Sequence, residues 1–385
     1  MTKEMPRCWC GHTVLDPFTE DYLHCPKCET LVLARPPPNL TRRIESDEHD
    51  LYGKNYYLKH LTEDYGYPDI ESRTRADLAD RCIYWLDSLL RYKKPGSRLL
   101  EIGCGPAASV ALFRAAGFDA TGLELSPWLA DYARKTWDIP MLQGPLEDQA
   151  IEPESIDIIT LFDVVEHLPD PLETLTRCRG FLAPSGIIVV QTPCYPEDTT
   201  YDDLKSAGHP FLEHLKPAEH LFLFSKTALQ RILREAGFSS VHFEEPIFSH
   251  YDQYAFGGTA RELRPRPASA PIHLDGDRTR RIVEALLTVY RRYRQTSELV
   301  QDRDRRLAEL DTQLHEANET ARRLLAKADE RTATAEQKRA ETEQQLQEAN
   351  RRLAELDAQL RELNETAREA LAKADERAAT AEQKR

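Results

Sequence analysis

The sequence predicts an α/β domain with a mostly parallel sheet, a small cysteine-rich module before it and a long helical region after it. From residue 97 to about residue 250, apolar strand-like runs alternate with amphipathic helical runs, which is the pattern of parallel α/β domains. Four cysteines fall within the first 35 residues. After about residue 300 the chain is almost only Ala, Leu, Gln, Asn, Thr and charged residues, a composition typical of long helices.

Length and composition limit the number of domains and the classes of partner that this chain is expected to have. Its 385 residues exceed one compact domain of ordinary size, and all 12 Phe and all 4 Trp precede residue 260. The formal net charge of −14, without a basic cluster, argues against a nucleic-acid partner. With no run of about 18 apolar residues and no apolar signal-peptide core, we expect no transmembrane segment. We expect a cytoplasmic location, with peripheral contact at the inner face of a membrane left open.

Proline clusters and composition shifts predict four segments. A run of three prolines closes a zinc-binding module at residues 1–35. The α/β domain follows at residues 40–260, and its first part, residues 40–95, is predicted to be helical and rich in Tyr. A proline-rich linker at residues 261–278 then leads into a coiled coil at residues 279–385.

The N-terminal cysteines favour a metal site over disulfides, because the sequence shows no export signal. A C-x-x-C pair lets two thiolates point at one ion, and zinc takes four such ligands tetrahedrally. The first pair has the less usual C-x-C spacing, so His12 or His24 could replace one ligand. We predict a structural zinc ion held by Cys8, Cys10, Cys25 and Cys28.

A glycine-rich turn after a buried strand is the clearest sign of a ligand site. The strand is followed by Gly103, Cys104 and Gly105 and then by a helix. Glycine lets the backbone approach a ligand closely and adopt positive φ. About 20 residues later Glu124 ends the next strand, where a carboxylate can accept both hydroxyls of a ribose.

The carboxylate before the glycines separates two classes of ligand. A glycine-rich turn with a later acidic residue also fits a nicotinamide dinucleotide. Glu101, however, lies on the strand just before the turn, where it would repel a pyrophosphate. The cationic sulfonium and amino groups of S-adenosylmethionine would instead be attracted, so we predict that cofactor. Its expected contacts are Glu101, Gly103, Cys104, Gly105, Glu124, Leu125, Leu146, Glu147, Phe162 and Asp163.

Three motifs carry a resemblance to a known family. The sequences EIGCGP at residues 101–106, GLELS at 122–126 and FDVVEHLPDP at 162–171 resemble those of class I S-adenosylmethionine-dependent methyltransferases. They are especially similar to the branch with ubiquinone-pathway and sugar methyltransferases. The resemblance covers roughly residues 80–246 and implies a Rossmann-like sheet of seven strands, the last antiparallel. The sequence places six strands, the last at residues 240–245, and leaves the seventh open.

Methyl transfer to a hydroxyl requires in-line positioning and a base. His220 is our first candidate base, because a His in this E-H-L context lies at the acceptor in similar sugar methyltransferases. His167, at the mouth of the fourth strand, is the second. Asp163 and Glu166 could instead hold a divalent ion. The Tyr-rich stretch 52–67 could cover the acceptor or simply pack against its neighbours.

The last hundred residues predict a coiled coil that joins copies of the chain. Leu and Ala recur with the 3-4 spacing of a heptad seam, which a stutter interrupts at Ala335. Residues 307–339 match residues 353–385 at 27 of 33 positions, so we expect further repeats after Arg385. The mixed Leu and Ala core leaves dimer against trimer open. A solvated single helix or a disordered tail is the alternative.

The layout resembles that of bacterial enzymes that methylate the growing end of O-antigen polysaccharide and stop its extension. We therefore predict O-methylation of a sugar hydroxyl at the end of a surface glycan, with the coiled coil as oligomerisation rod and spacer. One alternative is O-methylation of a quinone or another small aromatic molecule. The other is an oligomeric scaffold with an inactive methyltransferase fold, which the intact glycines and Glu124 disfavour.

Overall fold

The computed structural model describes residues 6–37, 40, 43–247, 251–260, 262–329 and 335–382. Its contacts divide the chain into two compact units, Met1–Glu284 and Ala285–Arg385. The first unit contains the cysteine module and the α/β domain.

The cysteine module is a small antiparallel sheet. Its strands are β1 (Asp16–Pro17), β2 (Tyr22–Cys25) and β3 (Thr30–Leu33). A strand from far along the chain, Phe222–Phe224 (β9), completes the sheet in the order β1-β2-β3-β9. The module therefore shares backbone hydrogen bonds with the α/β domain.

A helical segment follows the module. It contains α1 (Ile70–Asp77), α2 (Ile83–Tyr92) and two π-helical stretches at Tyr56–Asp64 and Leu78–Cys82. Asp69 caps α1 by accepting the N–H groups of Glu71 and Ser72. Because π-helical turns shift the side-chain spacing, the tyrosines of this segment do not follow a simple helical period.

The main sheet has seven strands. They are β4 (Arg98–Ile102), β5 (Asp119–Glu124), β6 (Met141–Gln143), β7 (Ile156–Phe162), β8 (Leu182–Pro193), β10 (Ser240–Glu244) and β11 (Asp252–Gly258). The helices of this region are α3 (Ala108–Ala115), α4 (Pro127–Trp137), α5 (Pro171–Phe181), α6 (Tyr201–Ser206) and α7 (Lys226–Glu235). The strand order is β10-β11-β8-β7-β4-β5-β6. The predicted Rossmann-like α/β fold is confirmed.

Strand β11 is the seventh strand, which the sequence left open. It inserts between β8 and β10 and runs antiparallel to both. Its sequence begins with the polar pair Asp252 and Gln253 and ends with two glycines, which are poor strand formers. Gly257 is needed for packing, because a Cβ there would lie 2.7 Å from Cγ2 of Ile188.

The second unit is helical throughout its described residues. Helix α8 (Arg278–Asp329) begins in the first unit and α9 (Ala335–Glu382) follows it. Leu356, one of the regularly spaced leucines of the predicted seam, is only 6% exposed, whereas Tyr293, to which the same spacing extends backwards, is 67% exposed. The side chain at the predicted stutter, Ala335, and all of Arg385 lie outside the described residues. Among the described residues, no helix combines the length and apolar character needed to cross a bilayer.

Candidate functional site

A cavity of about 340 Å³ lies where β4, β5 and β7 end. This volume falls in the range of small-molecule sites, and the carboxyl edge of the strands is where α/β folds bind ligands. All ten residues predicted to contact the cofactor line it, namely Glu101, Gly103, Cys104, Gly105, Glu124, Leu125, Leu146, Glu147, Phe162 and Asp163. Their contact with a cofactor stays a prediction.

The glycine-rich turn forms the floor of the cavity. Gly103 and Gly105 have φ of +66° and +56°, a left-handed conformation that L side chains rarely adopt. At Gly103 a Cβ would also lie 2.7 Å from Cγ2 of Val164, while at Gly105 nothing lies within 4 Å of it. The turn therefore leaves open space above Gly105.

Glu124 is fixed by backbone donors at the end of β5. Its Oε2 accepts the N–H of Gly105 at 2.9 Å, and its Oε1 accepts the N–H of Ser126 at 2.9 Å. Burial raises the pKa of Glu124 to about 7, although the backbone donors oppose that rise. A carboxylate held in this way at the cavity wall fits the hydroxyls of a ribose.

Glu101 is a buried carboxyl with one unpartnered oxygen. It is only 3% exposed, and its Oε1 accepts the hydroxyl of Ser109 at 2.6 Å. Its Oε2 has no hydrogen-bond partner among the described residues. Burial raises the pKa of Glu101 to about 8. Because a cation beside it would compensate this burial, the site fits the positively charged end of S-adenosylmethionine.

Asp163 lies at the cavity but also anchors the helical segment. It forms an ion pair with Arg81, and Nε2 of Gln191 donates to its Oδ1 at 3.3 Å. Burial would raise the pKa of Asp163, but the Arg81 guanidinium outweighs burial and holds it below its usual value. Arg81 thereby ties the stretch Leu78–Cys82 to the end of β7.

His167 lines the cavity with one ring nitrogen already engaged. Its Nδ1 lies 3.0 Å from the carbonyl oxygen of Glu219 and 2.9 Å from the hydroxyl of Tyr52. A carbonyl only accepts, so Nδ1 carries the proton and Nε2 keeps the lone pair. Burial lowers the pKa of His167, which favours the neutral ring.

His220 is placed behind His167. It is 4% exposed and is not among the described residues that line the cavity. Its Nδ1 donates to the carbonyl of His214 at 2.7 Å, and its ring centroid lies 4.9 Å from that of His167. Burial holds the pKa of His220 well below its usual value. The first candidate base of the sequence therefore lies outside the cavity lining, in ring contact with the second.

Within the described part of the chain, two groups of side chains could hold metal ions. The cysteine sulfurs of Cys8 and Cys28 are 3.4 Å apart, and those of Cys10 and Cys25 are 3.7 Å apart. A tetrahedral site with Zn–S bonds of about 2.3 Å has sulfur–sulfur edges of about 3.8 Å, so the four thiols fit zinc. The second group joins Glu166 to two histidines rather than to Asp163; its members are Glu166, His167 and His220.

Sequence reasoning did not assign individual roles to two residues that shape the cavity, Trp85 and Tyr52. Trp85 stacks on Phe162 with ring centroids 3.9 Å apart and donates its indole N–H to Gln191. Tyr52 reaches His167 from a backbone with φ of +71°. Neither shows a local sequence signal, because each contact joins residues more than 70 positions apart. Only the unusual density of tyrosines pointed to this stretch.

Comparisons with known proteins agree with the fold and the motifs. Residues 74–242 match a family model described as a methyltransferase domain. The ubiquinone biosynthesis O-methyltransferase of Actinobacillus pleuropneumoniae is 28% identical over 146 residues, which are 33% of this chain and 62% of that protein. The protein of the same name from Xanthomonas campestris is 32% identical over 108 residues, 26% of this chain and 45% of that one. The chain thus spans less than two thirds of either relative.

A solved structure from Thermotoga maritima, a methyltransferase described as a possible histamine N-methyltransferase, is 18% identical with a TM-score of 0.38. It covers 53% of this chain and 100% of that one. The motifs, the glycine-rich turn, the buried carboxylates and the family match agree on one class of domain. The chain contains a class I S-adenosylmethionine-dependent methyltransferase domain.

Proposed function

We propose that this protein transfers a methyl group from S-adenosylmethionine to a hydroxyl oxygen, with His167 as the general base. The cofactor, when bound, supplies an electrophilic methyl carbon on a sulfonium. The observation that carries the proposal is the hydrogen bond from Nδ1 of His167 to the carbonyl of Glu219, which leaves Nε2 unprotonated in a ring that lines the cavity. With the cofactor bound, Nε2 would take the proton of the acceptor hydroxyl while the methyl group leaves the sulfonium, so that the products are the methyl ether, S-adenosylhomocysteine and a protonated histidine.

The proposed acceptor is a phenolic ring. The cavity wall nearest the helical segment is aromatic, with Tyr52, Tyr56, Tyr57 and Trp85. A neutral histidine of lowered pKa is a weak base, so it matches a phenol with a pKa of about 10 better than the far less acidic hydroxyl of a sugar. The relatives named as ubiquinone biosynthesis O-methyltransferases support an O-acceptor.

A sugar hydroxyl at the end of a surface polysaccharide is the second candidate acceptor. The long helical unit favours it, because a methyltransferase for small molecules needs no spacer of this kind. Here α8 and α9 would pair with other copies of the chain through their Leu and Ala seam and hold the enzyme as a homo-oligomer. Light scattering of the full chain tests this part; a monomer at micromolar concentration would contradict it.

The remaining components are a structural zinc ion and the cofactor site. We propose that the four thiolates of the module hold one zinc ion without an open position, so that zinc stabilises the fold rather than acting on the acceptor.

The alternative of an inactive scaffold requires that the cavity bind no cofactor.

Calorimetric titration with S-adenosylhomocysteine tests the cofactor site. We expect micromolar binding by the wild type and a loss of about 10- to 100-fold in Glu124→Ala, because two charge-assisted hydrogen-bonding oxygens are removed. Glu152→Ala, at an exposed position, is the matched control and should bind normally. No binding by folded wild-type protein would favour the scaffold.

A methyl-transfer assay then separates the acceptors. Labelled S-adenosylmethionine is offered with catechol-type and quinol-type acceptors in one series. In a second series it is offered with oligosaccharides, and the methylated end of any product is identified. Transfer to phenols supports the first proposal, and transfer to oligosaccharides alone contradicts it in favour of the second.

A further inference from the structure

The segment 219–221 joins the cysteine module to the proposed base. Its three successive carbonyl groups accept hydrogen bonds from three places. Glu219 accepts from Nδ1 of His167 at 3.0 Å, and His220 accepts from the hydroxyl of Tyr22 at 2.9 Å. Leu221 accepts from the N–H of Leu33 at 2.9 Å. This short stretch of backbone therefore accepts hydrogen bonds from the cysteine module at residues 220 and 221, and from His167 at residue 219.

The segment 219–221 also donates a backbone hydrogen bond to the residue before His167. The N–H of Leu221 donates to the carbonyl of Glu166 at 2.8 Å, next to His167 in the chain. Strand β9 begins one residue later and pairs with β3 in the register Val32↔Phe222, Leu31↔Leu223 and Thr30↔Phe224. The segment has little freedom to move unless β3 moves with it.

Two of the four cysteines lie beside the strands that hold this segment. Cys25 ends β2, and Cys28 precedes β3 by two residues. Tyr22, which donates to His220, is a β2 residue and is fully buried. The Sγ of Cys28 also lies 3.3 Å from the hydroxyl of Thr30, the first residue of β3. A metal ion bound by the four thiolates would fix the turn between β2 and β3 to the N-terminal arm.

We propose that the four-cysteine site controls the base: metal binding fixes β2 and β3, which hold the carbonyls of His220 and Leu221 through Tyr22 and Leu33. This positions the neighbouring carbonyl of Glu219, which keeps the proton on Nδ1 of His167. Tyr22 is a positioning residue in this arrangement, because it acts through the backbone of His220 and lines no part of the cavity. The proposal rests on the proposed role of His167. If the module only stabilised the fold, its loss would affect the whole domain equally. Control of the base would instead appear first at His167.

The first test removes only the hydroxyl of Tyr22. In Tyr22→Phe of the full chain we expect zinc content and S-adenosylhomocysteine affinity within about twofold of wild type, and kcat lowered about tenfold with little change in the cofactor KM. Nitrogen-15 NMR of the histidine rings should show a reduced share of the Nδ1–H form of His167. Tyr92→Phe is the matched control, because its hydroxyl bonds to Glu244 outside this network. Wild-type kcat and ring signals in Tyr22→Phe would overturn the proposal.

The second test removes the metal from the full-length protein with a chelator. We expect S-adenosylhomocysteine to bind still, while the Nδ1–H signal of His167 broadens or shifts and returns on addition of zinc. An unchanged His167 signal in zinc-free protein would overturn the proposal. If metal removal unfolds the domain, Tyr22→Phe, which keeps all four cysteines, decides. A wild type that shows the NMR response but transfers no methyl group would refute the proposed function and leave the mechanical link intact.

Discussion

The hydroxyl of Tyr52 lies 2.9 Å from Nδ1 of His167, although 115 positions separate the two residues in the chain. The same Nδ1 faces the carbonyl of Glu219, so two oxygens surround one N–H group. Tyr52 adopts a φ of +71°, which is unusual for a residue with a side chain and indicates that the surrounding structure holds it in place. Two distant parts of the chain thus contact one nitrogen of this histidine, and the carbonyl of Glu219 sets its tautomer.

His167→Gln is expected to lower kcat by about 10²- to 10⁴-fold, the usual contribution of a general base. Affinity for S-adenosylhomocysteine should remain near wild type, because the base acts on the acceptor. Steady-state kinetics beside calorimetry measures both. His220→Gln should cost less, since His220 lies outside the cavity lining. The reverse order of the two variants would assign the base to His220.

The pH dependence of the rate provides an independent check on His167. Its pKa is lowered by burial, so the ring stays neutral below the usual histidine range. The pH at which the rate is half-maximal should therefore lie below 6.5. A half-maximal rate at or above pH 6.5 would contradict a buried, neutral base.

Glu101→Gln is expected to stabilise the cofactor-free protein at alkaline pH. The folded-state pKa of Glu101 is about 8, above the ordinary 4.5, so the folded state retains a proton that the unfolded state has lost. Stability therefore falls as pH rises from 4.5 to 8, by a few kcal/mol at most. Urea unfolding at pH 5 and pH 8.5 should show a larger gain for the variant at pH 8.5. An equal gain in stability at both pH values would show that Glu101 is not the source of this pH dependence.

Gly103→Ala and Gly105→Ala form a matched pair. Both place a side chain at positive φ, which costs about 1–2 kcal/mol. Only the Gly103 Cβ would clash with Val164, so we expect this variant to unfold at lower urea concentration than the other. Gly105→Ala should fold but bind S-adenosylhomocysteine weakly, because its Cβ projects into open space beside Glu124. Normal binding by Gly105→Ala would contradict a cofactor above this turn.

Metal analysis of the purified protein should find one zinc ion per chain. Cys25→Ser should lose it and melt at lower temperature, because structural zinc contributes directly to folding. Cys194→Ser is the control, since Cys194 is a free thiol outside the cysteine cluster. Equal zinc content in the two variants would place the metal elsewhere.

Local signals in the sequence predicted the parts of the site that lie on consecutive residues. The turn with Gly103 and Gly105 has a backbone requirement that only glycine meets easily, and Glu124 follows at the end of the next strand. These features leave a pattern that can be read without coordinates. Strand β11 was missed because its polar start and glycine-rich end lack the apolar alternation of a strand.

The sequence by itself determined the α/β class, the glycine-rich turn, the buried carboxylates and the paired cysteines, because each depends on residue type and short spacing. Only the tertiary structure decided which histidine lines the cavity. The sequence placed His220 before His167 as candidate base, whereas the position of His167 at the cavity depends on Tyr52, Glu219 and the pairing of β3 with β9. Contacts across 50 to 200 residues arise when the chain closes, and no local periodicity encodes them.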